Sequence, residues 1–122
     1  MIDYERIKDT RIEDFIFIIY YLIITLSLYS NKIERDYLYT GNDYDKTRYR
    51  ILLYIIFGIA FLVYLYYTID SYKTLKEVSY DDENRKLYEL SFLASFLVLI
   101  SGCIYLYIIS NDEEARVELA FN

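Results

Sequence analysis

Charged and apolar positions are sharply segregated along this chain. Three stretches hold no charged residue: Phe15–Asn31, Ile51–Ile69 and Leu90–Asn111, which are 17, 19 and 22 residues long. Elsewhere charges are frequent, since they make up 26% of the whole sequence. As helices, at about 1.5 Å per residue, the runs would reach roughly 25, 28 and 33 Å, against a hydrocarbon core of about 30 Å. Inside their terminal Asn31 and Asn111, their few polar interruptions are Ser, Thr, Gly, Cys and Tyr, the residues a bilayer tolerates. A helix of a soluble bundle shows polar positions every three or four residues instead. The pattern predicts an all-α integral membrane protein of three transmembrane helices, spanning about 15–31, 51–69 and 90–109. The whole of 1–122 is expected to form one domain.

The breaks between runs are short. Gly41, within Thr40-Gly41-Asn42-Asp43, suits a helix C-cap and Asp43 an N-cap. Around 79–84, Ser79, Asp81 and Asp82 are candidate caps. These two breaks predict long helices at about 10–39, 44–78 and 83–118, in an up-down-up antiparallel arrangement with helical extensions beyond the bilayer. The polar extensions match in length across each hairpin, and no proline demands a kink. Tyr72, Leu75 and Val78 are expected to face Leu87 and Leu90 across the second hairpin.

Composition narrows the chemistry. There is no His, three Gly and one Cys, so Ser–His or Cys–His pairs, imidazole metal sites and glycine-rich phosphate loops are excluded. No enzyme, metal or cofactor is implied. Cys103 lies inside the third run and is read as a small packing residue. The net charge is −6, spread over short segments without a polybasic cluster, which argues against nucleic acid or an anionic lipid surface as a partner. Before the first run, acidic residues outnumber Arg6, Lys8 and Arg11, and no small-residue cleavage site follows, so the first run is expected to be retained. Short-loop Lys and Arg are nearly balanced, seven on the N-terminal side and six on the other. The reading adopted is a multi-pass protein of the cell membrane with a cytoplasmic N-terminus. Richness in Ile, Tyr, Asn and Lys suggests an AT-rich, bacterial genome.

Many of the 17 tyrosines fall near the run ends, as an aromatic belt does. Tyr20, Tyr21, Tyr54 and Tyr64 lie deeper and are expected to face other helices, because a phenol hydroxyl in hydrocarbon needs a partner.

Two candidate sites emerge. Ser91, Ala94, Ser95, Val98, Ser101 and Gly102 recur at spacings of three and four, a small-residue stripe down the third helix. The opposite side would carry Phe92, Phe96, Leu99, Ile100 and Leu106. Small residues allow close backbone approach and serine can hydrogen-bond across the contact, so the stripe reads as helix packing or, in an oligomer, as pore lining. Glu13, Asp14, Asp70 and Glu89 fall at one boundary and would form an acidic collar in a ring of subunits; the simpler reading is that charged residues end a membrane run.

No proton-relay carboxylate or basic residue lies at membrane depth, which argues against a pump or secondary transporter. The expected function is a membrane protein that self-associates and forms or gates a pore, or permeabilises the membrane. Holin-like lysis proteins and effectors of bacterial toxin or defence systems share its size and span count, an analogy that no motif carries. The alternative is a non-enzymatic accessory or anchoring subunit that holds a soluble partner at the acidic tail, 111–122. The lipid bilayer and a homo-oligomer are the expected partners.

Overall fold

A computed structural model describes residues 2–121. Its elements are α1 (Tyr4–Thr40), α2 (Asp43–Glu77), α3 (Arg85–Asn111) and a final 3₁₀ turn (Val117–Phe121). The α-helices are 37, 35 and 27 residues long. Each contains a window apolar and long enough to cross a membrane. The chain is therefore all-helical with three candidate spans, as the charge pattern predicts.

The chain sorts into two compact units, one up to Leu52 and one from Leu53, and α2 passes from one to the other as an unbroken helix. In the first unit, α1 begins at Tyr4, six residues before the expected start. Asp3 supplies the cap, its Oδ1 accepting the Arg6 N–H at 3.1 Å, and nothing between Tyr4 and Asp9 breaks a helix. The far end stops at Gly41, whose φ of 69° is left-handed and whose N–H donates to the Tyr37 carbonyl at 2.6 Å. Glycine adopts that conformation without a Cβ penalty.

The N-cap of α2 is Asn42, not Asp43. The Asn42 Oδ1 accepts the Tyr44 N–H at 2.9 Å and its carbonyl accepts from Lys46, while Asp43 already lies within the helix. The hairpin is held by Arg48. Its guanidinium donates to the Tyr29 hydroxyl at 2.7 Å, pairs with Asp45 at 3.6 Å and stacks over the Tyr44 ring. Beside it, the Tyr37 and Tyr49 rings meet at 6.0 Å.

In the second unit α3 runs back along α2. Contacts pair in opposite order down the two helices: Val78 with Arg85, Tyr72 with Phe92, Thr68 with Ser95, Phe57 with Tyr105, and Tyr54 with Ile109. The turn between them uses Ser79 and Asp82, whose side chains accept the N–H groups of Asp81 and Asn84. Asn84 occupies the N-cap position without a side-chain bond. Tyr72 meets Phe92 rather than Leu87 or Leu90, both of which are exposed.

Helix α3 does not continue to 118. It ends at Asn111, and Asp112 turns extended, its Oδ1 accepting the Glu114 N–H at 2.9 Å. A short carboxylate that bonds a backbone N–H two residues on competes with the helical ladder. The tail then folds into the 3₁₀ turn, with Ala115 and Val117 buried.

The buried core is thin. Among the described residues, twelve hydrophobic side chains are buried, five of them on one stripe of α2: Leu53, Ile56, Phe57, Ala60 and Val63. On α1 the buried positions are Ile16, Ile23, Ser27, Ser30 and Ile33, a single face at helical spacing. Most of the rest of the first run is open, including Phe15, Phe17, Ile18, Tyr21 and Leu28, each at least 60% exposed. Burying one such side chain stabilises by about 1.5–3 kcal/mol, so an apolar surface of this extent needs an apolar medium or a partner.

Candidate functional site on the small-residue face of the third helix

The structure splits the predicted stripe in two. Ser95 and Gly102 turn toward α2. Gly102 is buried, and a Cβ placed on it would sit 3.0 Å from Cδ2 of Tyr64. The Ser95 carbonyl lies 3.0 Å from the Thr68 hydroxyl, which is also 2.8 Å from the Tyr64 carbonyl. A hydroxyl carries one proton, so Thr68 donates to one of these carbonyls at a time or shares the proton between them. The Ser95 and Ser71 hydroxyls lie 3.1 Å apart. This is a polar seam inside an apolar contact.

Ser91, Ala94, Val98 and Ser101 are exposed on the flank of the same helix. They form a strip of small side chains that α2 does not cover. The side expected to be opposite is not wholly opposite: Phe92 takes part in the contact with α2 through Tyr72, and Tyr105 joins the same contact through Phe57. Phe92, Ser95, Leu99, Gly102, Leu106 and Ile109 form the less exposed face of α3. Large and small residues alternate along that face, which at about 100° per residue is rotated by roughly 70° from the direction the small residues alone suggest.

On α2 the residues that complete the seam are Thr68, Ser71 and Tyr64. Tyr64 was expected from the sequence to face another helix; Thr68 and Ser71 were not singled out, although they are polar positions one turn apart. Gly58 contributes nothing to it, since a Cβ there would meet no atom within 4 Å. Cys103 is exposed, so it is not the packing residue that was expected. The position follows from rotation: one residue beyond Gly102, it lies 100° around the helix from the buried seam.

The deep tyrosines behave differently from one another. The Tyr54 hydroxyl donates to the Ile109 carbonyl at 3.5 Å, and Tyr64 packs on Gly102. Tyr21 is 74% exposed, against the expectation that it faces another helix. It sits on the open side of α1, roughly 170° around the helix from the centre of the buried stripe.

The four boundary acids are all exposed. Glu89 is engaged by Arg85, whose Nε lies 3.2 Å from its carboxylate. Among the described residues, no three acidic or thiol side chains come together in a way that could hold a metal ion. Among the described residues, no buried side-chain nitrogen or oxygen lacks a partner. The arrangement has the makings of helix association. No family model matches this chain, and neither a curated protein nor a solved structure matches it.

Proposed function

We propose that this chain is a non-enzymatic, multi-pass protein of the cell membrane, arranged up-down-up, that associates with copies of itself through the outward strip of α3, and that the assembly forms or gates a pore. The observation that carries this reading is the exposure of Ser91, Ala94, Val98 and Ser101 on the most apolar and least buried of the three spans. A helix face that meets only lipid has no use for a row of small side chains. Between helices in a membrane, small residues permit close approach and serine hydroxyls bond across the contact. Three helices around their own core leave no conduit, so conduction requires several copies.

The anchoring alternative is less well supported. Ala115 and Val117 are buried, which ties the acidic tail to its own unit instead of leaving it free as a handle.

The test is the mass of the purified protein in lipid nanodiscs, paired with release of dye from loaded vesicles. A ring of four or more copies that releases dye supports the reading. Ala94→Leu with Ser101→Leu is expected to break the ring and stop the release. A wild-type monomer that leaves the vesicles sealed overturns it.

A further inference from the structure

Near the turn that joins them, α2 and α3 leave an open groove of about 460 Å³. That volume lies within the usual range for ligand sites. Its walls are two-faced. Ile69, Phe92, Phe96 and Leu99 line the part nearer the middle of the spans, while Tyr72, Lys73 and Lys76 line the part nearer the turn. Both lysines are exposed, and among the described residues neither forms an ion pair. The neighbouring acids Asp70 and Glu77 do not line the groove.

The direction of the lysines matters. Side chains on an α-helix lean toward its N-terminus, and for Lys73 and Lys76 that direction is back toward the apolar run ending at Ile69. Lys76 shows the effect: its Nζ lies 5.0 Å from the centre of the Tyr72 ring, one turn earlier. The α-carbon of Lys73 is about 6 Å beyond Ile69 along the helix, at the depth of a headgroup layer. Two ammonium groups therefore sit at headgroup level, over a slot of aromatic and aliphatic side chains that continues into the hydrocarbon.

We propose that this groove holds an anionic phospholipid of the surrounding bilayer, with one acyl chain along Ile69, Phe96 and Leu99 and the phosphate on Lys73 and Lys76. A zwitterionic lipid offers the same chain but cancels its phosphate charge, so charge selects the occupant. Basic pockets between membrane helices bind anionic headgroups for the same reason. The inference rests on the membrane reading above.

The experiment counts lipid retained by the full-length protein after purification from nanodiscs of mixed phosphatidylglycerol and phosphatidylcholine, by native mass spectrometry. The wild type is expected to keep phosphatidylglycerol selectively. Each lysine is worth about fivefold, the equivalent of about 1 kcal/mol, so Lys73→Gln with Lys76→Gln should lower retention by more than tenfold. Arginine at both positions should restore it, and Lys32→Gln, at the other end of the spans, should leave it unchanged. Leu99→Trp fills the slot with the charges intact and should also lower retention. Equal phosphatidylglycerol on the wild type and the double glutamine variant overturns the proposal. So does a Leu99→Trp variant that disrupts assembly of copies with its lipid content unchanged, since a second chain then covers the groove. Carbonate extraction of the same membranes separates the two levels: a chain that washes off removes the membrane reading itself, whereas an integral chain indifferent to lipid charge removes only the groove.

Discussion

Gly102 of α3 packs on the Tyr64 ring of α2, so closely that a methyl group on the glycine would meet the tyrosine Cδ2 at 3.0 Å. That spacing is possible because position 102 has no side chain. Gly102→Leu is expected to destabilise the pair by about 1–3 kcal/mol, the usual cost of overpacking. Gly102→Ala asks the Tyr64 ring to yield a few tenths of an ångström and should cost less. Gly58→Ala is the internal control. Its Cβ meets nothing, so the better helix propensity of alanine should leave stability equal or higher, by up to about 1 kcal/mol. Thermal unfolding in mild detergent measures all three.

The polar seam gives a coupled pair. Ser71→Ala and Ser95→Ala each remove one side of a 3.1 Å hydroxyl contact. Interhelical hydrogen bonds in membranes average about 0.6 kcal/mol, so a double-mutant cycle should return a coupling of that order. Thr68→Val should cost a similar amount, through loss of its bond to the Ser95 carbonyl. Additive single effects would show that the hydroxyls do not bond to each other.

Arg85 is the latch of the second turn. It donates to the Val78 carbonyl at 2.8 Å, reaches Glu89 at 3.2 Å and stacks 4.0 Å above the Tyr80 ring. Its side chain is only 17% exposed, whereas that of Glu89 is 55% exposed. A hydrogen bond from a charged donor contributes about 1.5–3 kcal/mol, while an exposed ion pair adds about 0.2–1 kcal/mol. Arg85→Ala should therefore accelerate hydrogen exchange across 78–88 strongly, and Glu89→Ala should do so weakly. Equal acceleration by the two would assign the latch to the ion pair instead.

Cys103 reports on the medium around α3. It is exposed in the structure and lies in the middle of an uncharged run. If lipid surrounds that face, a charged, membrane-impermeant maleimide should fail to label Cys103 in sealed vesicles and should label it after detergent solubilisation. Thiols react as thiolates, a form that hydrocarbon disfavours. Rapid labelling in intact vesicles would place water at that face.

Much of the architecture was legible in one dimension. Charge must stay in water, so the three uncharged runs mark the three long helices directly, and Gly41 marks the first break because glycine alone adopts its left-handed backbone without penalty. Local competition for backbone hydrogen bonds was harder to read. Asp3 started α1 early, Asn42 took the cap from Asp43, and Asp112 ended α3 seven residues before the expected stop. In each case one short polar side chain satisfied a nearby N–H, and the sequence offered several equal candidates for that role.

Which way each helix faces was decided by the tertiary structure. A run that is apolar all round carries no amphipathic signal, so period alone cannot say which side meets a neighbour. Small residues suggested one direction for α3, yet packing chose a face where Phe92 and Tyr105 fill space beside Ser95 and Gly102. That rotation left Ser91, Ala94, Val98 and Ser101 open and turned Cys103 outward. It also brought Phe92, Phe96 and Leu99 together beneath Lys73 and Lys76, two lysines in an acidic chain that no basic cluster had marked. Length and charge determine which segments become helices because solvation acts on each residue by itself. The faces depend on how side-chain shapes interlock between helices, and that is a property of pairs.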